Sequence, residues 1–334
     1  MTSPRKPIVE VKGPSGRNLV PLWGPALIGI QITDQAGYES DAATFAFRDF
    51  PPSWRIPPKG TKYEVKVGWQ GETATLTGTY TIQVGRLRGD PDQGTIMEVV
   101  CRAADFVDKI KDVDSGHYDG KTLKDIVDDV ARRMGTTAVV APELAGIKVP
   151  YRLRFNQSHG DFLTRLGDDV GAIIKPQAGK LVVLKRGTGK SASGMALPAL
   201  QVTYDPLYSF EVEIEPRSAY KAVRGAWIDP KTGKRRTKSV SGQGSGTLEL
   251  MHPYAGEADA EAGAKSAARE QAQRTATATF EMPGNPAAVA EAPVKASGYG
   301  SDVDSVEWIA SEVTHDIAPD QGWTTTVSCT VKGA

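Results

Sequence analysis

Four histidines are the first residues to test for chemistry: His117, His159, His252 and His315. A metal site needs three or four convergent ligands, and no ligand spacing links these four. The residue types favour structural roles, and His159, next to a helix cap, fits a first helical turn. Gly187-Thr188-Gly189-Lys190-Ser191 superficially looks like a phosphate loop. It lacks the first glycine at the required spacing and no apolar helix follows it. Asp125, Asp128, Asp129, Asp168 and Asp169 could supply a carboxylate pair for hydrolysis, but such pairs work in clefts with aromatic walls. These five fall on expected helices, mostly on solvated faces. Gly242-Gln243-Gly244-Ser245-Gly246 misplaces its serine for a nucleophile elbow. Lys231, Lys234, Arg235, Arg236 and Lys238 form the one basic cluster. No aromatics interleave with it, which favours a solvated hairpin tip over a nucleic-acid patch. Cys101 and Cys329 are too few for a disulfide framework or a cysteine zinc site, and each lies in an apolar run that suits a buried free thiol. The residues give no catalytic, cofactor-binding or metal site.

The clearest periodicity lies between Tyr118 and Arg186. Thr122 is an N-cap with Asp125 three residues on, the spacing of a capping box. Leu123, Ile126, Val127, Val130, Ala131 and Met134 then mark one buried helix face, and Gly135 follows at a left-handed C-cap. Ser158 and Asp161 repeat the cap. Phe162, Leu163, Leu166 and Val170 repeat the stripe, and Gly171 closes it. A strand near Val149–Phe155 and a hairpin of Ala172–Pro176 with Leu181–Leu184, turning at Ala178-Gly179, complete a small α+β module.

The flanks read as β. Before the module, strands are expected at Ile8–Val11, Ala26–Thr33, Thr44–Phe47, Lys62–Trp69, Thr75–Arg86 and Thr95–Ala103. Asp49-Phe50-Pro51-Pro52 stops the third, since proline cannot donate to a ladder. After the module, Gly187–Pro198 reads as a flexible linker. Strands resume at Ala199–Tyr204 and Tyr208–Ile214. A hairpin of Tyr220–Trp227 and Arg235–Val240 follows. Glu257–Thr275 is an alanine-rich helix by propensity. The tail carries strands at Ala292–Ala296, Ser305–Asp316 and Trp323–Val331. No internal repeat is evident. The 334 residues suit two or three domains, and 35 glycines and 22 prolines suit short strands and turns. Lys+Arg and Asp+Glu both total 40, a balance that argues against a dedicated nucleic-acid binder. No apolar window is long enough to span a membrane and no signal peptide is recognised, so a soluble protein made in a cytoplasm is expected.

The order of these motifs resembles the late control protein D family of tailed phages. The resemblance rests on Tyr118, Thr122-Leu123, Asp125-Ile126, Phe155-Asn156-Gln157-Ser158, Asp161-Phe162-Leu163, Arg165-Leu166, Gly171 and Gly179-Lys180-Leu181. The tail adds Pro283-Gly284-Asn285-Pro286, Trp308-Ile309-Ala310, His315 and Gly322-Trp323-Thr324-Thr325. The N-terminal half adds Pro57-Pro58-Lys59-Gly60. Ala292-Pro293-Val294 departs from the family's glycine-initiated apolar strand. These are baseplate hub proteins of contractile tails, similar to the N-terminal part of the VgrG spike proteins. The resemblance implies an α+β, mainly β fold, with two tube-protein-like β-barrel domains flanking the α+β module. The expected boundaries are 1–105, 106–197 with helix 255–280 packed on it, and 198–250 plus 284–334. It implies a non-enzymatic homotrimer in the virion baseplate, assembled in the host bacterial cytoplasm, that joins a sixfold tube to a threefold spike. Its partners would be the central spike and tail tube proteins, with tape measure and baseplate wedge proteins as further candidates and no sequence-specific nucleic acid. A LysM-like wall-binding module and a tail-associated hydrolase are the alternatives. The first needs exposed aromatics near Tyr118 and Tyr151, and the second needs a carboxylate pair or zinc site.

Overall fold

The alternation of Tyr63, Val65, Val67 and Trp69 becomes the strand Lys62–Trp69, with those four side chains buried. In the computed structural model, strands of this kind dominate and the fold is mainly β. The structure describes residues 5–36, 41–48, 55–91, 94–103, 107–177, 179–191, 193–215, 220–242, 244–273, 275–318 and 322–332. The expected stop at Asp49–Pro52 and the residues Ala178 and Gln243 lie outside these.

Twelve strands form one sheet. Its first half runs in the spatial order Pro7–Lys12, Lys62–Trp69, Leu76–Asp90, Gly94–Arg102, Ala42–Arg48, Leu27–Gln35. Its second half runs Leu200–Thr203, Pro293–Ser297, Trp308–Ala318, Gly322–Val331, Ala276–Pro283, Phe210–Ile214. Taken in chain order within each half, the two spatial orders are the same: first, fourth, fifth, sixth, third, second. The chain therefore holds two six-strand units of one topology. They differ at the outer pair, antiparallel in the first unit and parallel in the second. Short sequence matches accompany the repeat. Ala43-Thr44-Phe45 matches Ala278-Thr279-Phe280, and Pro91-Asp92-Gln93-Gly94 matches Pro319-Asp320-Gln321-Gly322. Gly94 and Gly322 both open their strands with positive φ, 75° and 89°, which glycine adopts without strain. Cys101 lies opposite Ala43 and Cys329 opposite Ala278, both thiols free and buried. The shared strand order overturns the expectation of no internal repeat. Matches of three and four residues are too short to stand out until strand pairing aligns them.

The units join edge to edge. Leu27–Gln35 of the first pairs antiparallel with Trp308–Ala318 of the second, from Ile30 opposite Ile317 to Gln35 opposite Glu312. Between Ile214 and Ala276 the second unit carries an insertion. Ala222–Ile228, Arg235–Ser241 and Thr247–Glu249 form a separate three-stranded sheet under the helix Glu257–Gln273. This divides the expected range 198–250 plus 284–334 differently. Its hairpin belongs with the helix, and Ala276–Pro283, expected as helix or turn, is a strand of the large sheet. β-Branched Thr277 and Thr279 alternating with buried Ala276, Ala278 and Phe280 favour that strand. The helix packs on its own small sheet and also meets the helix His159–Val170, where Ser266 Oγ donates to the Asp168 carbonyl at 2.9 Å. Close packing on the sheet depends on Gly225, since a Cβ there would stand 2.1 Å from the Ala260 carbonyl oxygen.

The central module follows its caps. Leu123–Arg133 begins at Thr122, whose hydroxyl and the Asp125 carboxylate complete the capping box. It ends in a Schellman turn, with Gly135 N–H donating to the Arg132 carbonyl and Thr136 N–H to the Ala131 carbonyl. His159–Val170 begins at Ser158 and ends at left-handed Gly171. Leu123, Ile126, Val130, Phe162 and Leu166 share one core with Leu181 and Val183 of the hairpin. Lys148–Ser158 pairs with Val113–Thr122, a strand too polar and glycine-rich to read from periodicity. Ala138–Val140 adds a parallel strand to the hairpin. The expected linker Gly187–Pro198 is a closed turn: Leu197 N–H donates to the Gly189 carbonyl and Ser191 N–H to the Met195 carbonyl, both at 2.8 Å.

Candidate assembly interface

The fold disperses the residues whose types could do chemistry. His117 stacks on Tyr151, His252 is exposed, and His159 is buried at its helix start with a pKa lowered by burial. Buried His315 accepts the Trp323 indole N–H at Nδ1, which also lies 3.0 Å from Thr325 Oγ1, and burial lowers its pKa to about 4. Asp125 serves the cap, Asp128 pairs with Lys124, Asp129 with Arg133, Asp168 with Arg186 and Asp169 with Arg152. The Gly187–Ser191 turn presents no phosphate cradle, because the Gly187 N–H is already held by the Glu291 carboxylate at 2.9 Å. The basic cluster is largely matched in charge. Arg235 meets Glu249 at 2.5 Å, Arg236 meets Asp229 at 3.8 Å, and Lys238 meets Glu257 and Glu261 at 2.9 and 3.6 Å. Among the described residues no three His, Cys, Asp or Glu side chains could hold a metal ion. No described helix is long and apolar enough to cross a membrane.

What the fold does concentrate is contact between its parts. Lys175, on the hairpin strand Ala172–Gln177, reaches into the first β unit. Its ammonium donates to the Gln35 carbonyl at 2.6 Å and lies 3.3 Å from Asp34 Oδ1 and 3.2 Å from Asp41 Oδ1. Burial works against that charge, but Asp34 and Asp41 outweigh it and raise the lysine pKa. Asp34 Oδ2 also accepts the Ala290 N–H of the second unit at 2.8 Å. Glu291, held at a left-handed φ of 66°, ties the second unit to the module through Gly187. Burial first, then the charge of Asp34, lifts Asp41 to about 6 against the pull of Lys175, and burial lifts Glu291 to about 7. A cavity of about 220 Å³ lies beside these groups. On another face of the joint, Trp69 and Trp323 rings lie 5.0 Å apart and Trp69 Nε1 donates to the Gly284 carbonyl at 3.1 Å. The sequence carried a signal for the first of these. A lysine in the run Ile173-Ile174-Lys175 is a charge on a strand buried along its length, and such a charge needs a partner.

The outer edges of the sheet are different. Among the described strands, Phe210–Ile214 pairs on one side with Ala276–Pro283 and has nothing on the other. Leu76–Asp90 pairs with Lys62–Val67 as far as Thr81, and beyond it one side is open. Phe210, Ile214, Val84 and Leu87 are exposed on these stretches. Unpaired edges with apolar side chains are templates for another chain.

Comparison with known proteins places this arrangement. The chain is 29% identical to the probable baseplate hub protein of Escherichia phage 186, over 95% of this chain and 91% of that one. It is 30% identical to the probable baseplate hub protein of Escherichia phage P2, over 92% and 88%. Its fold matches the 43 kDa tail protein of prophage MuSo2 from Shewanella oneidensis with a TM-score of 0.70 at 16% identity, covering 97% of this chain and 98% of that one. Residues 60–322 match the family described as phage tail baseplate hub (GPD). The class is therefore a virion structural component of a phage tail. The chain belongs to the phage tail baseplate hub family, as its late control protein D resemblance implies.

Proposed function

We propose that this hub is the adaptor between tail tube and spike, acting as a homotrimer. The observation that carries the reading is the repeat of one six-strand topology within one chain. Three chains set around a threefold axis would present six similar β units, each the barrel-like counterpart of a tube subunit. That ring would match a sixfold tube on one side and a threefold spike on the other. The buried clamp of Lys175, Asp34 and Glu291 suits a load-bearing part, since it fixes the module against both units. The work is done by surfaces, with no chemistry required of any side chain. Tail tube and spike proteins are the direct partners, and tape measure and wedge proteins the outer ones, with assembly in the host bacterial cytoplasm. DNA in transit must not be held by fixed cations, so the hairpin Lys231–Lys238 belongs outside the channel.

Sedimentation of the purified chain with its spike protein, followed by negative-stain imaging with tube protein added, tests the reading. The expected result is a trimer that seats on the tube as a ring of six lobes. A chain that stays monomeric at high concentration with spike present, or a ring whose inner wall carries the Lys231–Lys238 hairpin, would overturn it.

A further inference from the structure

The two β units can be matched residue by residue through their strand registers. Ala43 faces Cys101 and Ala278 faces Cys329, so these pairs correspond. On the neighbouring strands Ile32 faces Ala43 and Val212 faces Ala278. Val212 is thus the counterpart of Ile32, Glu211 of Gln31 and Glu213 of Thr33. The long strands correspond as well. Leu76–Asp90 shifts register between Ile82 and Val84, and Trp308–Ala318 shifts between Ala310 and Glu312. From there each continues opposite its neighbour to a glycine, Asp90 facing Gly94 and Ala318 facing Gly322. Leu87 is therefore the counterpart of His315, Arg88 of Asp316 and Arg86 of Thr314.

Within the chain, Leu27–Gln35 of the first unit is seated on Glu312–Ile317 of the second. The counterpart of Leu27–Gln35 is Phe210–Ile214. The counterpart of Glu312–Ile317 is Val84–Gly89. Among the described strands both stretches have an open side, as do the first strands of the two units, Pro7–Lys12 and Leu200–Thr203, which take no part in the internal joint. We infer that a second copy of this chain closes them, the Phe210–Ile214 strand of one copy pairing antiparallel with Val84–Gly89 of the next in the register of the internal joint. The inference rests on the oligomeric reading above and names the surfaces that make it.

The register specifies the contacts. His315 opposes Ile32, Asp316 opposes Gln31 and Thr314 opposes Thr33 inside the chain. Between copies, Leu87 then opposes Val212, Arg88 opposes Glu211 and Arg86 opposes Glu213. Backbone register alone thus sets two arginines against two glutamates and an apolar residue against an apolar residue. Cross-strand pairs of opposite charge and of apolar side chains are the ones that stabilise a sheet. The internal joint has a polar bond at the equivalent place, where Gln31 Nε2 donates to Asp316 Oδ1 at 2.9 Å. Arg86 and Arg88 are both 65% exposed and share one carboxylate, Glu98, at 3.9 and 2.8 Å, which leaves a net positive edge. Leu87 is 56% exposed although its counterpart His315 is buried, as expected of a position whose covering strand belongs to another molecule. The contact is head to tail, which makes a ring when the rotation between copies closes, as the threefold reading requires.

Opposed residues of an antiparallel pair have Cα atoms about 4.5–5.5 Å apart, within disulfide reach. The full chain carrying Leu87→Cys and Val212→Cys, mixed with its spike protein and mildly oxidised, should give linked dimers and trimers on a denaturing gel. Neither single variant should link, nor should Arg86→Cys with Val212→Cys, whose side chains leave opposite faces. Cys101 and Cys329 are buried and do not compete. In the otherwise native chain, Glu211→Lys with Glu213→Lys should weaken self-association roughly tenfold. Adding Arg86→Glu and Arg88→Glu should restore it. Trimers that form with no link at 87/212 and no response to charge reversal would overturn the strand pairing while leaving the trimer intact. A chain that remains monomeric with spike present would overturn both.

Discussion

Glu291 shows how a buried ionisable group can hold parts together and make their union depend on pH. Its carboxylate accepts the Gly187 N–H, and Lys175, Arg186 and Asp34 are the charges around it. Burial raises its pKa from an ordinary 4.5 to about 7 in the folded chain. The folded state therefore binds the proton more tightly than the unfolded state. The stability this contributes is full below about pH 4.5 and is lost as pH rises through about 7. Glu291→Gln keeps an acceptor for Gly187 without the charge. Between pH 5 and pH 8, wild type should lose about 1–3 kcal/mol relative to that variant in parallel denaturation curves. Equal pH dependence of the two would show that Glu291 does not titrate in this range. Lys175→Met removes the cation from between Asp34 and Asp41 and should cost about 3–5 kcal/mol, because two carboxylates are left facing each other in a buried site. Lys175→Arg should not rescue it fully, since the ammonium is enclosed by three oxygens at hydrogen-bond range and a planar guanidinium is larger.

At the scale of elements, helix ends and helix faces contribute by different amounts. Leu166 is 1% exposed within the module core, and Leu166→Ala should cost about 2–5 kcal/mol through lost burial and the cavity left behind. Thr122→Ala removes one half of a capping box on an exposed helix start and should cost about 1 kcal/mol. Chemical denaturation separates the two, and similar small losses would contradict the assigned core. The inserted helix Glu257–Gln273 is held by shape. Ala260 and Ala264 are fully buried, so small side chains let the helix approach the sheet at Gly225. Gly225→Val would drive a side chain into the Ala260 backbone and should lift the helix from its sheet. Limited proteolysis should then cut within the helix while the module and both β units stay protected.

At the scale of the whole molecule, one sheet crossing both units makes the joint a shared core. Trp69 of the first unit and Trp323 of the second are each 6% exposed or less and rest on one another. Trp69→Ala should cost about 3–5 kcal/mol. Because the rings share one contact, adding Trp323→Ala should cost less than the sum of the two single losses. A full sum would mean that the units hold their tryptophans independently. The insertion between Ile214 and Ala276 stands outside the strand order common to both units. It is an addition to the second unit with no counterpart in the first, and its ion pairs are largely internal to it, as Lys238 with Glu257 and Glu261 illustrate.

The sequence by itself determined the local elements. The caps at Thr122 and Ser158, the stripe from Leu123 to Met134 and the alternation from Tyr63 to Trp69 are short-range patterns. They became the helices and strand that the periods of 3.6 and 2 require. Motif order was also enough to indicate the hub family. The tertiary structure decided which strands are neighbours. Pairing between Leu27–Gln35 and Trp308–Ala318 joins segments nearly a chain length apart, and no local propensity encodes such a partner. The strand Val113–Thr122 was hidden because it is polar and glycine-bearing on an exposed ribbon, where hydrophobic alternation is not needed. Lys175 stood out only as a charge in an apolar run that needs a partner, Asp34 and Glu291 are unremarkable as single letters, and only the meeting of three parts of the fold makes them a clamp. The repeat stayed unread for the same reason. Six strands of one topology need only compatible burial at matched positions, so two units can share a strand order while keeping little more than Ala-Thr-Phe, Pro-Asp-Gln-Gly and a pair of buried cysteines in common.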